Sequence, residues 1–209
     1  MQKADKVWYV SYGSNLNCRR LQQYLDAAGD NTSPARGEPL FINYPLYFAE
    51  RSSKWNSAVA FIGTEKNSKL KTYAAAWLIT WEQFEAVCAG ENKIAVSDFS
   101  LDINEYGQVE WPARLGGWYS KILEVENTID NPGQYPLCTL TSPVRRTRTG
   151  KDYLPGAKYL NTMFTGIKAL HNNVTPAKFV NYVLSCGLSA FYKPAALAAL
   201  IQVDQKEKN

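Results

Sequence analysis

The order of elements in this sequence predicts an α+β domain, with strands gathered in the first part of the chain and helices in the last. Short runs dense in β-branched and aromatic residues recur at 7–11, 41–48, 57–63 and 71–79, separated by polar turn-formers such as Glu65-Lys66-Asn67-Ser68. Beyond residue 155 the apolar residues recur every three or four positions instead, as a buried helix face requires. The alternation of strand and helix that builds a parallel sheet is missing. At 209 residues the chain suits a single core, and its 13% aromatic share supplies residues that each bury a large area.

Taken in order, Val-Trp-Tyr-Val-Ser at 7–11 reads as the first strand, and Tyr12-Gly13-Ser14-Asn15 as a tight turn. A short helix follows from Asn17, with Leu21, Tyr24 and Leu25 on one face and Gly29 closing it. Pro45 gives the 41–48 strand the character of an edge. A well-punctuated helix comes next, with Thr80 as N-cap and Gln83 in the capping-box position. Trp81, Phe84, Val87 and Cys88 share its apolar face, and Gly90 fits a left-handed C-cap. That assignment puts Glu91 on loop backbone just past a helix end. Residues 92–117 look irregular, with strands expected at 118–125 and around 137–140. One late helix carries Tyr159, Met163, Ile167 and Leu170, a second opens at Thr175-Pro176 and ends near Gly187, and an alanine-rich third covers 194–202.

Composition removes several function classes. A net charge of +4 gives no reason to expect a nucleic-acid partner, and the basic group Arg145, Arg146 and Arg148 reads as a solvated loop. No window reaches the ~18 apolar residues of a membrane span, and the first residues lack a signal peptide's pattern, so a cytoplasmic address is expected. The four cysteines are dispersed, without a CxxC pair, which argues against zinc and suits a reducing compartment. A single histidine, His171, excludes multi-histidine metal sites and leaves little room for a Ser-His or Cys-His device. It reads as a partly exposed residue at a helix C-terminus. If the chain is an enzyme, a carboxylate moves its protons.

Tyr12-Gly13-Ser14-Asn15-Leu16 resembles the YGSNL motif of the gamma-glutamyl cyclotransferase family. Three features agree in order: Arg20 in the following helix, the strand and capped helix from Trp77 to Gly90-Glu91, and Pro155-Gly156-Ala157-Lys158-Tyr159-Leu160 with Gly166 beyond. The resemblance spans roughly residues 7–187 and departs at 92–117, where an insertion delays the family's Gly-x-Tyr, here Gly117-Trp118-Tyr119. A domain over 1–187 with a helical extension over 188–209 is therefore expected. The resemblance implies a mixed β-barrel flanked by helices, a pocket at its mouth, and an activity without metal or organic cofactor. It implies Glu91 as the catalytic residue, with Tyr12, Gly13, Ser14, Asn15, Leu16, Tyr119 and Tyr159 around the substrate.

The chemistry suits these residue types. A gamma-glutamyl amide carries its own nucleophile, since the α-amine can close on the γ-carbonyl to form 5-oxoproline and expel the attached amine. One carboxylate within reach of both nitrogens can serve both proton transfers, and partial burial would improve it as the acid. A glycine turn entering a helix offers N–H groups to a carboxylate or oxyanion. Plainer readings stand beside these: an exposed Glu91, a Tyr12–Leu16 segment that only connects strand to helix, and Tyr119 and Tyr159 as core aromatics. Ser14 and Cys18 lack a base and make poor nucleophiles. A ligand-binding module without catalysis is the alternative function, and a phosphate-binding loop fails for want of GxxxxGK[ST]. The leaving amine stays open. A second carboxylate could meet Arg20, Arg114 or Lys93, which sequence does not rank, and a homodimer is possible.

Overall fold

The computed structural model describes residues 5–103, 109–110, 117–126 and 128–206. Strand β1 (Lys6–Ser11) leads through a 3-10 turn (Ser14–Leu16) into α1 (Cys18–Ala27). Strands β2 (Arg36–Ile42), β3 (Leu46–Ser52), β4 (Ser57–Ile62) and β5 (Thr72–Thr80) follow, and β5 runs directly into α2 (Trp81–Asn92). A small hairpin of β6 (Asp102–Ile103) and β7 (Val109–Glu110) precedes β8 (Lys121–Glu124) and β9 (Leu137–Thr141). Helices α3 (Ala157–Leu170), α4 (Pro176–Val183) and α5 (Pro194–Lys206) end the fold, so the α+β class holds.

Five strands form one mixed sheet in the order β2-β5-β1-β9-β8, with β3 and β4 paired separately. β1 lies at its centre, antiparallel to β5 and parallel to β9. Val7, Trp8, Tyr9 and Val10 are all buried in a row, the mark of a strand covered on both faces. β2 alternates buried and exposed only over Leu40–Ile42, and it tolerates Pro39 because it is an edge strand. The β3–β4 hairpin is tied to the sheet where the Thr141 hydroxyl donates to the Ile62 carbonyl at 2.6 Å. Helix α5 packs on α3 and α4, placing Leu197 and Ile201 in the common core.

Four local expectations change. Pro45 does not sit in a strand; it lies in the turn that splits the 41–48 segment into the end of β2 and the start of β3. Gly90 is helical, and the left-handed C-cap is Lys93 at φ 58°, so Glu91 occupies the last turn of α2 and not a loop. Glycine is required at 90 for a different reason: a Cβ there would lie 2.3 Å from the Tyr24 ring. The strand expected over 118–125 shortens to β8 because Asn92 takes both backbone polar groups of Tyr119. His171 is buried, not partly exposed, and its Nε2 bonds the Ala74 carbonyl at 2.8 Å.

Helix α3 crosses the 3-10 turn at backbone contact. A Cβ on Gly166 would meet the Leu16 carbonyl carbon at 2.3 Å and the Asn17 nitrogen at 2.4 Å. Alanine favours a helix interior over glycine by roughly 1 kcal/mol, but backbone atoms cannot step aside as a side chain can. Gly166→Ala should therefore lower stability, by about 1–3 kcal/mol in urea unfolding, despite its better helix propensity.

Candidate active site

The site begins where β1 ends. The Tyr12 hydroxyl donates to the Leu140 carbonyl at 2.6 Å, pinning the strand end to β9. The next residues close one 3-10 turn, with Leu16 N–H on the Gly13 carbonyl and Asn17 N–H on the Ser14 carbonyl, each at 3.1 Å. The Asn17 side chain then caps α1. This turn fixes Asn15, whose carbonyl accepts from the Trp77 indole at 2.9 Å. Both protons of the Asn15 amide are used, one on the Tyr9 hydroxyl at 3.0 Å and one on Glu91 Oε1 at 2.9 Å.

Glu91 arrives from the far end of α2. The capping box of Thr80 and Gln83 sets where the helix starts, and buried Phe84, Val87 and Cys88 set its rotation. In its last turn the helix presents Glu91 to the cavity, between Asn15 and the Tyr24–Arg20 pair of α1. Burial pushes the Glu91 carboxyl above the ordinary carboxylate range. Arg20, the Tyr24 hydroxyl, Asn15 and Lys54 pull it back down, but do not cancel the burial. Burial also pushes the Tyr9, Tyr24 and Tyr159 phenols up, so each remains a neutral donor or acceptor near neutral pH.

The opposite wall is aromatic. The Tyr159 hydroxyl accepts the Ala60 N–H at 2.9 Å, and the Tyr119 hydroxyl donates to the Ala60 carbonyl at 2.8 Å. Two phenols thus hold one residue of β4. Tyr159 also explains Gly13, where a Cβ would lie 2.9 Å from its hydroxyl. Tyr119 stacks on Phe61 at 4.8 Å, and Trp55 packs edge-on against Tyr159 at 5.1 Å.

Of the residues singled out from sequence, Tyr12, Gly13, Ser14, Asn15, Glu91, Tyr119 and Tyr159 line one cavity of about 300 Å³. Leu16 does not. It is 1% exposed, in the core beneath α3, and serves the turn through its backbone. Arg20 and Lys93 reach the cavity, whereas Arg114 lies outside the described residues. Arg146, read as a solvated loop residue, instead donates through Nη2 to the Gly117 and Trp118 carbonyls at 3.1 and 3.2 Å, bracing the cavity rim. Sequence reasoning missed Tyr9, Lys54 and Trp55 as cavity residues, and treated Tyr24 only as part of a helix face. Tyr24 could have been found, since it lies four residues after Arg20 on one face of α1.

A solved structure described as a gamma-glutamyl cyclotransferase superposes with a TM-score of 0.53, covering 87% of this chain and 86% of that one at 13% identity. This is a gamma-glutamyl cyclotransferase-like fold. A structure described as an uncharacterized protein from Homo sapiens superposes similarly, with a TM-score of 0.54 over 88% of this chain and 87% of that one, again at 13% identity. At that identity the cyclotransferase-like likeness is one of fold. No protein-family model matches the sequence. Among curated proteins, histone deacetylase 5 of Arabidopsis thaliana is 28% identical over 192 residues, which is 80% of this chain but only 28% of that protein. The chain thus spans about a quarter of the length of that relative. Among the described residues no helix is long and apolar enough to cross a membrane.

The raised Glu91 carboxyl has a consequence for stability. Unfolded, it ionises near its ordinary 4.5; folded, it ionises later. The folded state is therefore penalised as pH climbs from 4.5 through the folded value, and the penalty is absent below 4.5. Glu91→Gln should raise the melting temperature at pH 7 and lose that advantage as the pH is taken below about 4.5.

Proposed function

We propose that the chain is a gamma-glutamyl cyclotransferase-type enzyme, releasing 5-oxoproline and a free amine from a gamma-glutamyl compound without a cofactor. One observation carries this reading. A half-buried carboxyl with a raised affinity for protons, Glu91, is hydrogen-bonded to the Asn15 amide of a glycine turn on the wall of a cavity. A solvated glutamate or a core ion pair would have no use for such an environment. The fold of the structural neighbours supports the same reading.

In the proposed reaction the Gly13–Asn15 backbone receives the glutamyl part, Gly13 allowing close approach. Glu91, as carboxylate, removes a proton from the substrate α-ammonium. The freed amine nitrogen attacks the γ-carbonyl carbon, forming the ring C–N bond and an oxyanion. Backbone N–H groups of the turn offset that charge. Glu91, now protonated, gives its proton to the nitrogen of the leaving amine as the original C–N bond breaks; as carboxylate again, it takes the second proton from the ring nitrogen and passes it to the departing amine, which leaves as an ammonium. The carboxyl ends in its starting state, so one residue completes the cycle. Tyr119 and Tyr159 shape the wall, and the chain need supply no nucleophile.

The test is 5-oxoproline release from a panel of gamma-glutamyl dipeptides and amines. Wild-type turnover with a fall of about 10²-fold or more in Glu91→Gln is expected, since the amide keeps the size of the side chain and cannot exchange protons. Turnover unaffected by the substitution would remove Glu91 from the mechanism. No product from any member, with the protein folded, would favour a binding protein on this fold.

A further inference from the structure

A second cavity, of about 290 Å³, lies between the edge strand β2, the start of β5 and the connection from α3 to α4. It is separate from the candidate active site. Tyr159 faces that site near the start of α3, whereas Leu170 reaches the second cavity at the end of the same helix, roughly 16 Å further along at 1.5 Å per residue. The wall of the second cavity is aromatic. The Phe41 ring stands 4.9 Å from Tyr73 and 5.2 Å from His171, and Tyr73 meets His171 edge-on at 4.9 Å. Phe41 nevertheless stays 43% exposed, while its neighbours Leu40 and Ile42 are buried. A ring held by two others and open on its remaining side is a fixed apolar surface, which Leu170 and Val174 extend.

The polar groups here are few, and each has a definite character. His171 is 7% exposed, with its Nε2 at 2.8 Å from the Ala74 carbonyl. A carbonyl oxygen only accepts, so Nε2 carries the proton and Nδ1 keeps a lone pair. Burial lowers the affinity of the ring for a second proton, so the lone pair persists at neutral pH. Nδ1 takes no bond from any described residue and stays within reach of solvent. The ring is thus anchored through one nitrogen and offers the other, an acceptor, to the cavity it lines. Charge enters from the rim. Lys178, in the first turn of α4, lines the cavity and rests its Nζ on the Asn173 carbonyl at 2.9 Å, and Lys71 holds its Nζ 5.9 Å from the Phe41 ring centre. No acidic residue lines the cavity among the described residues. The carbonyl end of α3 comes to the same place, so a negative group is favoured out with the lysines and not beside the helix end.

The cavity therefore asks for a hydrogen-bond donor inside, a flat apolar body, and an anion at the rim. We propose that it binds a planar aromatic acid, whose ring lies on Phe41, whose ring N–H or O–H donates to His171 Nδ1, and whose carboxylate meets Lys178 and Lys71. An indole carboxylate has this pattern. The volume is at the small end for ligand pockets, which suits one fused ring system and not a dinucleotide.

The chain has one histidine, so the imidazole nitrogen signals of isotope-labelled protein, prepared without a histidine tag, report on this cavity alone. In the free protein at neutral pH, Nδ1 should resonate as an unprotonated nitrogen and Nε2 as a protonated one. Indole-3-carboxylate should move the Nδ1 signal saturably toward the protonated position as Nδ1 accepts a bond. Benzofuran-3-carboxylate has the same shape and charge but no N–H; it should bind about fivefold more weakly and leave Nδ1 in place. Indole-3-carboxamide, which lacks the charge, should bind about threefold more weakly than the acid, and Lys178→Gln, a change at an exposed position, should weaken the acid by a similar factor. A protonated Nδ1 in the free protein, no shift with millimolar indole-3-carboxylate, equal binding of the benzofuran, or an affinity unmoved by Lys178→Gln would overturn the proposal. Calorimetric binding that leaves the histidine signals untouched would place the ligand elsewhere and overturn it as well. Glu91 has no part in this site, so the same shift is expected in Glu91→Gln protein, whatever becomes of the cyclotransferase reading.

Discussion

One hydrogen bond, from the Asn15 amide to the Glu91 carboxylate, joins two side chains 76 residues apart in the chain at the wall of the cavity. Its two ends belong to the turn after β1 and the last turn of α2, and each end is held independently. Asn15 is gripped by the Trp77 indole and by Tyr9, so its amide presents a fixed donor. An ionised carboxylate only accepts, so the orientation of the amide is decided by its partner. Glu91 is placed by a helix whose start is set by a reciprocal cap and whose rotation is set by buried apolar residues. The core, on this view, is a frame that brings a donor and an acceptor to 2.9 Å with little freedom left to either.

The same frame explains why Glu91 holds its proton more readily than a surface glutamate. Desolvation raises its affinity, and four polar neighbours restrain the rise. Were the restraint complete, the group would be an ordinary buried ion pair, inert as an acid. Were it absent, the carboxyl would stay protonated and could not act as a base. The aromatic wall matters here too, because Tyr119 and Tyr159 take up both polar groups of Ala60, so that neither competes for a group in the cavity.

Much of this was legible in the chain before any coordinates. The strand-turn-helix opening, the capping box at Thr80 and the helix faces at Tyr159 and Thr175 follow from local rules, and local rules hold where neighbours agree with them. The failures came where a distant residue decided the matter. Gly90 reads as a C-cap because glycine so often supplies a left-handed φ; here it is glycine because Tyr24 of another helix presses on it. Trp118 and Tyr119 look like strand residues, but the Asn92 side chain claimed the peptide groups a ladder would have used. Arg146 reads as solvated because nothing nearby in sequence says its guanidinium will find the carbonyls of residues 117 and 118. Seven of the cavity residues could be named as site residues from a motif, whereas Lys54 and Trp55 sit on a hairpin turn that carries no local sign of its use.

The Asn92 clasp also bears on the segment that follows it. Asn92 donates to the Tyr119 carbonyl and accepts the Tyr119 N–H, while a side chain on Gly117 would collide with Asn92 itself. Residue 92 and residues 117–119 are therefore knotted together, next in sequence to Glu91. Closing a longer loop on such a knot costs only logarithmically more in chain entropy. The clasp thereby separates the positions that border Glu91 from the length of chain that follows them, while Phe99 and Leu101 within that stretch are anchored in the core and are not free to change.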